Sequence, residues 1–316
     1  MAKFYGIAGT RRGSVGNETY YISKTQNIVK KKATFVFDPR TEKQIAQRIK
    51  IKNCLLGLKN VKNALELNTF TNEQVIENHE NAFVKNNVRN CCIIDRITSN
   101  IPNFPTLSSN VVCSYGTLDS LSVASDDAYL GVVFTGIDSE NKTIAELTNE
   151  LINEFEFLRN GDAITFFYYF CTNITSSNDK LFEWDNPEIL NNTVNIITGR
   201  KTFILNTNDN RSIEQLGFIC MLSEAEEGEI ILTLNVKNEG DDFITDATAD
   251  YPCYISVFYS RLIDENTYNF CISSSGFNKG YQDMVNFTKK KEYQYFALSS
   301  WNTNFKDDNE NENIEN

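Results

Sequence analysis

The sequence has little of the chemistry on which most enzymes depend. Only one histidine, His79, occurs in 316 residues, so a His-based catalytic triad or a His-rich metal site has a single candidate member. The motifs HExxH, GxSxG and GxGxxG are missing, and no CxxC pair occurs among the eight cysteines. We therefore interpret the chain as non-enzymatic, with no catalytic residues, no cofactor and no bound metal.

Long apolar runs are also missing. No stretch approaches 18 apolar residues, and the first residues, MAKFYGIAGTRRG, lack the apolar core of a signal peptide. Most cysteines lie in apolar strand-like runs such as FFYYFC and FICML, which is typical of buried thiols in a protein made in a reducing cell. These features predict no membrane partner and synthesis in a cytoplasm.

The charge, by contrast, is abundant and unevenly distributed. The basic head, residues 1–70, holds 14 Lys and Arg against 4 Asp and Glu, a net charge of +10. The acidic body, residues 71–316, holds 16 against 38, a net charge of −22. Such a split favours electrostatic contacts between neighbouring copies. Two alternatives stay open, namely an exposed basic face without a partner and non-specific, charge-driven contact with nucleic acid.

The basic head begins with a predicted hairpin. The segments Glu18–Ser23 and Asn27–Phe37 have strand composition and are separated by Lys24, Thr25 and Gln26. Lys30, Lys31 and Lys32 cannot all lie on one side of a pleated strand, so we expect an exposed edge strand there.

A basic helix is predicted after the hairpin. Asp38 is suited to cap it and Pro39 to its first position. From Glu42 onwards, apolar residues recur at intervals of three to five residues, with lysines between them. This spacing predicts an amphipathic helix, which Gly57 could bend or end. A more polar helix is expected within 71–90.

The acidic body is rich in strand signals. Aromatic and β-branched runs separated by turn residues predict antiparallel β-sandwiches. The predicted strands are Val111–Leu118, Tyr129–Ile137, Ala163–Cys171, Val194–Leu205, Leu216–Leu222, Glu229–Val236, Tyr251–Leu262, Tyr268–Ser273 and Tyr293–Leu298. One helix, over residues 144–157, should cross one end of a sheet.

The expected fold class is therefore α+β, mainly β, and the expected domains follow the same order. A hairpin–helix assembly domain would occupy residues 1–100 and a β-sandwich domain 101–206. Residues 207–305 would form a second sandwich or the second part of the same one, and 306–316 an acidic disordered tail.

The first 65 residues resemble a family of small Bacteroidetes and phage proteins. The resemblance rests on a G-x-V-G-N element at Gly13–Asn17, a basic extended segment at Lys30–Lys32, and a D-P-R-T-x-x-Q-x-x-Q-R helix start over residues 38–48. In that family, the block precedes a helical segment and Ig-like β-domains. The Asn-, Lys- and Ile-rich usage resembles that of crAss-like phages, whose virions contain ring proteins in the neck and tail barrel.

The resemblance implies a virion structural protein made in the host bacterial cytoplasm. It implies a homo-oligomeric ring, dodecameric in the family, with head-to-tail contacts between copies, other neck and tail proteins as partners, and possible non-specific contact with packaged DNA. Apolar residues Ile45, Ile49, Leu58 and Leu65 would supply most of the affinity between copies. The expected assembly-interface residues are Arg11, Arg12, Lys30, Lys31, Lys32, Arg40, Gln44, Gln47 and Arg48.

One alternative function stays open. Aromatic runs such as Phe166–Phe170 and Tyr251–Tyr259 could form stacking platforms for sugars, which would fit a receptor- or glycan-binding module on a phage fibre or bacterial surface.

Overall fold

The computed structural model describes most of the helices and strands that the sequence predicts. The described residues are 2–3, 13–23, 26–32, 41–62, 69–70, 79–93, 111–125, 130–136, 142–173, 194–222, 228–234, 252–265 and 267–289. Of these residues, 32% are helical and 42% lie in strands, and antiparallel sheets are present. The fold class is therefore α+β, with strands the larger share. Two compact units are distinguished, Met1–Gln44 and Ile45–Asn316.

The first unit contains a small antiparallel sheet. Its strands are β1 (Ala2–Lys3), β2 (Gly13–Val15), β3 (Glu18–Ser23) and β4 (Gln26–Lys31), in the order β1-β4-β3-β2. The β3–β4 pairing confirms the predicted hairpin, although β4 ends at Lys31 in the described residues. Gly16, in the tight turn between β2 and β3, has φ of 58°, a left-handed conformation that glycine adopts without strain.

Two helices follow the small sheet along the chain. Helix α1 spans Glu42–Val61, as predicted, and continues through Gly57. Helix α2 spans His79–Asn87 and passes into a 3₁₀ turn, Val88–Asn90, which matches the second half of the expected polar helix. The buried Asn53 amide of α1 donates a 2.9 Å hydrogen bond to the Cys92 carbonyl, so it joins α1 to the chain just after α2.

The second unit contains two antiparallel sheets. The four-stranded sheet has the order β5-β6-β10-β9, from Ala124–Ser125, Leu130–Thr135, Glu229–Leu234 and Phe218–Leu222. The five-stranded sheet has the order β12-β11-β7-β8, from Thr267–Phe270, Cys253–Asp264, Ala163–Asn173 and Val194–Ile204, with β13 (Ser274–Phe277) also paired to β11. Each sheet combines strands from 111–206 with strands from 207–305.

The five-stranded sheet is covered on both faces along β7 and β11. On one face, Phe166 and Phe203 contact Phe218 of the other sheet, with ring centroids 5.3 and 5.0 Å apart. On the opposite face, Tyr254 contacts Tyr281 of helix α4 (Lys279–Lys289) at 5.2 Å. Because both faces are buried, Cys253–Ser260 is buried without alternation, which is the pattern of a central strand rather than of a strand with one exposed face.

Two further helices border the sheets. Helix α3 (Ile144–Glu154) lies within the predicted 144–157 helix and packs against β6. A reciprocal capping box starts it: the Glu146 N–H donates to Thr143 Oγ1, and the Thr143 N–H donates to the Glu146 carboxylate. Helix α4 was not predicted; the Asn278 side chain caps it by accepting the Tyr281 N–H at 2.9 Å.

The predicted strand Val111–Leu118 is wrong. This segment makes only isolated bridges in the described structure, and side chains hold it in place instead. Asn87 bonds both the N–H and the carbonyl of Val112, and Ser273 Oγ accepts the Cys113 N–H at 2.7 Å. The predicted strand Tyr293–Leu298 and the acidic tail lie outside the described residues.

Candidate assembly surface

The lysine-rich end of β4 is exposed, as its composition suggests. Lys30, Lys31 and Lys32 are all exposed, and the pleat places Lys30 and Lys31 on opposite faces. Lys31 lies directly opposite Glu18 on β3, so opposite charges face each other across the hairpin. The Lys32 N–H donates to the Asn17 carbonyl at 2.6 Å.

The prediction that this strand is an edge is wrong for the strand as a whole. In the sheet order, β4 lies between β3 and β1, whose two residues pair with Ile28 and Val29. Among the described residues, Lys30 and Lys31 pair with β3 alone. The lysines therefore extend past the short partner strand, which leaves one side of their backbone uncovered by any described strand.

The start of α1 differs from the sequence prediction. The helix begins at Glu42, and Thr41 rather than Asp38 occupies the capping position. Gln44 N–H donates to Thr41 Oγ1 at 3.4 Å, and Thr41 N–H donates to Gln44 Oε1 at 3.3 Å. This reciprocal pair is a capping box, so Gln44 has a role inside its own helix. Asp38 and Pro39 lie outside the described residues.

The other expected interface residues divide into two groups. Gln47 and Arg48 lie on the first turns of α1 and are exposed. Arg11, Arg12 and Arg40 lie outside the described residues. The described structure therefore brings Gln44, Gln47 and Arg48 together on one helix, separate in sequence from the three lysines of β4.

The apolar residues of α1 are used differently from the expectation. Ile45, Ile49 and Leu58 are buried within the chain itself, so they are not available to another copy. This corrects the expectation that they supply the affinity between copies; Leu65 lies outside the described residues. Among the described side chains of α1, the exposed large apolar ones are Ile51 and Leu55.

Ile51 and Leu55 belong to a continuous exposed face of α1. Arg48 precedes them by one helical turn and Lys59 follows by one turn, and at these spacings side chains lie on one side of a helix. We call Arg48, Ile51, Leu55 and Lys59 the α1 stripe. The sequence alone did not reveal the apolar part of this stripe, because α1 has apolar residues on nearly every side. The available signal was the spacing: Ile51 lies one helical turn after Arg48, and Leu55 lies one turn before Lys59.

The charge on α1 has one sign almost throughout. Its only acidic residue is Glu42 in the first turn, whereas Lys43, Arg48, Lys50, Lys52 and Lys59 are basic. Lys50 Nζ donates to the Arg89 carbonyl at 3.4 Å, and Lys62, just after the helix, pairs with Glu80. An exposed basic and apolar surface of this kind suits an acidic protein partner.

Two buried charged groups of the second unit, Asp162 and Lys142, have partners within the chain. Arg261 makes two hydrogen bonds to Asp162, at 2.8 and 2.7 Å, and a third to the Phe157 carbonyl. Lys142, buried beneath the Phe134 ring, pairs with Glu150. These pairs join neighbouring elements, which accounts for their burial.

The cysteines are buried thiols. The seven whose side chains the structure describes are all free and buried. Burial raises the pKa of Cys113 and of Cys220 to about 12, and that of Cys271 to about 11. A hydrogen bond to Cys54 and burial raise the pKa of Cys91. Such thiols stay protonated at neutral pH and make poor nucleophiles or metal ligands.

The described residues contain neither a candidate metal site nor a candidate membrane-spanning helix. No group of three or more His, Cys, Asp or Glu side chains among them is placed to hold a metal ion. No helix in the same part of the chain is both long enough and apolar enough to cross a membrane.

Comparison with known proteins gives no relative. No family model, no curated protein and no solved structure matches this chain.

Proposed function

We propose that this chain is a structural protein of a bacteriophage virion, a ring subunit of the neck or tail barrel that assembles by head-to-tail contacts between copies. The observation that carries the proposal is the basic and apolar stripe exposed along α1, within the region whose motifs resemble crAss-like phage virion proteins. The charge split between the basic head and the acidic body supports it, because a ring needs two different patches that complement each other.

The proposal includes the finer features that the resemblance implies. The two sheets would correspond to Ig-like β-sandwich structure, and the ring would be dodecameric. Other neck and tail proteins would border it, and the basic head could contact packaged DNA through phosphate charge alone. The cysteines fit assembly in a bacterial cytoplasm, since the described ones are free thiols.

The alternative of a glycan- or receptor-binding module has less support. Its motivation was the aromatic runs, but Phe166, Phe167 and Phe170 are buried, and so are Tyr254 and Tyr259. Sugar-binding platforms require exposed ring faces, so these rings serve the core instead.

The proposed function is tested on phage particles. We expect mass spectrometry of purified virions to find the chain, and antibody labelling in electron microscopy to mark the junction between capsid and tail. Label at fibre tips would support the receptor-binding alternative. Absence of the chain from particles would refute both readings.

A further inference from the structure

The hairpin that joins β11 and β12 presents an unusual surface. Leu262 and Ile263 at the end of β11 are 52% and 59% exposed, and Tyr268 on β12 is 47% exposed. Between them, Asp264 and Glu265 are also exposed. We call these five residues the β11–β12 tip. Large apolar side chains in an exposed cluster are a common mark of a protein–protein contact.

The geometry of the hairpin explains how the tip can dock. Leu262 lies directly opposite Tyr268 in the strand register, so their side chains share one face of the hairpin. The register is irregular between Leu262 and Asp264, so Ile263 lies at a bulge where strict alternation of faces does not hold. The two acidic residues follow at the turn.

The tip carries two exposed acidic residues, Asp264 and Glu265. The nearest basic side chain on β11 is Arg261, and its guanidinium already bonds both carboxylate oxygens of Asp162. Arg261 is therefore engaged with Asp162, and Asp264 and Glu265 lie exposed beside three apolar side chains.

The α1 stripe has the opposite composition. Ile51 and Leu55 are 39% and 50% exposed, and a basic residue lies one turn away on each side, Arg48 and Lys59. Apolar residues on the two surfaces can bury each other, while the charges around them attract and fix the register. Both surfaces are exposed within one chain, so a contact between them would join two chains.

We propose that the α1 stripe of one copy binds the β11–β12 tip of the next copy. The partner is thus a second copy of this chain, chosen by complementary charge and by apolar groups on both sides. Because the two patches differ, the contact is heterologous, and its repetition generates a ring or a filament. This inference deepens the proposed ring function and rests on it for the closed shape, but not for the contact itself.

The test reverses charge on one side at a time in the full chain. The stripe variant is Arg48→Glu with Lys59→Glu, and the tip variant is Asp264→Lys with Glu265→Lys. We expect each variant alone to associate about tenfold or more weakly than the native chain in sedimentation velocity, because attraction becomes repulsion. A mixture of the two variants should recover association, because each then meets its complement.

Matched controls separate this contact from general charge effects. Lys85→Glu with Lys279→Glu reverses two exposed lysines on α2 and α4, neither of which belongs to the stripe or the tip, and should leave association unchanged. Circular dichroism and melting temperature should show that every variant is folded. Carbodiimide treatment of mixed isotope-labelled and unlabelled native chains should yield an intermolecular Lys59–Glu265 or Lys59–Asp264 crosslink.

The outcomes are decisive, and they are independent of the virion experiment. No intermolecular crosslink at these residues, or equal effects of the control and patch variants, would overturn the contact even if the chain occurs in particles. Conversely, recovery in the mixture would establish the contact even if virions lack the chain, in which case only the phage function would fail.

Discussion

At the scale of single residues, two Asp–Arg pairs show that the contribution of an ion pair to stability depends on its burial. Asp162 is 3% exposed and Arg261 22%, and the pair joins β11 to the turn before β7. Asp209 and Arg211 also form a two-pronged pair, but Arg211 is 62% exposed and only two residues away in sequence. A buried pair that loses one partner leaves an uncompensated charge, whereas an exposed one is replaced by water.

This contrast predicts different costs for equivalent substitutions. Arg261→Ala should lower the free energy of unfolding by about 3 kcal/mol, because it leaves the Asp162 carboxylate buried without its main partner. Arg211→Ala, the matched control, should cost much less. Urea denaturation of both variants measures the difference; equal losses would show that the Asp162–Arg261 pair does not stabilise the sheet.

The thiols give a second prediction at this scale. Burial raises the pKa of Cys113 and of Cys220 to about 12, so at pH 8 each is almost entirely protonated and shielded. We expect alkylation of these residues in the native protein to be slow and to rise sharply in denaturant. Mass spectrometry of modified peptides measures this, and rapid native modification of either residue would contradict its burial.

At the scale of elements, the capping box of α1 gives a structural meaning to a motif noticed for its resemblance. Thr41 and Gln44 bond each other across the first turn, so two letters of the D-P-R-T-x-x-Q pattern have a local role. Gln47 and Arg48, in the same pattern, are exposed and remain candidates for contacts between copies. The motif thus contains residues that start the helix and residues that are exposed on its surface.

The capping role predicts that position 44 tolerates a change of charge. Gln44→Glu keeps an acceptor for the Thr41 N–H and should leave stability within about 0.5 kcal/mol, whereas Thr41→Ala should cost about 1 kcal/mol. Gln47→Glu is the matched control for added charge without a cap. Thermal unfolding compares the three variants; a loss in Gln44→Glu that exceeds that in Thr41→Ala would argue against the capping role.

Helix α3 carries a second capping box whose effect depends on pH. Hydrogen bonds from the Thr143 backbone N–H and hydroxyl lower the pKa of Glu146 from its ordinary value of 4.5. The folded state therefore favours the ionised form of Glu146 more than the unfolded state does, so this ionisation stabilises the fold. Its contribution is present above pH 4.5 and is lost as the pH falls through the lowered pKa of the folded state.

We therefore expect Glu146→Gln to change how the free energy of unfolding depends on pH under acidic conditions. The stability that the native chain has over this variant should shrink as the pH falls below 4.5, because only the native side chain titrates. Urea denaturation at several pH values measures the trend. In the background of Thr143→Ala, the pH dependence of the difference should shrink but persist, because residue 143 keeps the backbone N–H that lowers the pKa of Glu146 most; an unchanged pH dependence would show that the Thr143 hydroxyl does not contribute.

Some elements could be predicted from local sequence and others could not. The β3–β4 hairpin and α1 follow from alternation and helical periodicity, and these local signals need no partner. Helix α4 was missed because Gly280 and the β-branched residues mask its pattern, although Asn278 and the spacing of Tyr281 and Val285 were the available signals.

The candidate site shows the same limit. Ile49 and Ile51 are alike in sequence, yet the first is buried and the second exposed. Which face of α1 turns inward depends on the residues that pack on it, and these come from distant parts of the chain. The α1 stripe and the β11–β12 tip therefore became visible only with tertiary structure.

At the scale of the whole molecule, the pairing of strands joins segments far apart in sequence. β11 pairs with β7 and β10 with β6, so both sheets combine residues separated by 83 to 100 positions. Local patterns identify such strands but carry no information about their partners. The buried rings between and outside the sheets then make a single core, which leaves the charged surface as the part free to specify assembly.

Three lysines at the end of β4 and just after it, Lys30, Lys31 and Lys32, differ in what lies opposite them. Reversing Lys31 would place a like charge directly opposite Glu18, which should destabilise the hairpin by about 0.5 kcal/mol. Lys30 and Lys32 have no acidic residue opposite them in the described register, so their reversal changes the surface charge without that penalty.

We therefore expect Lys30→Glu with Lys32→Glu to reduce incorporation into particles severalfold while the monomer stays folded, because the basic surface that meets an acidic neighbour is lost. Lys31→Glu serves as the comparison, since it changes one charge but strains the hairpin. Incorporation is measured by mass spectrometry of virions made with each variant, and folding by circular dichroism. Normal incorporation of the double variant would remove these lysines from the assembly surface and leave α1 to carry the basic contact.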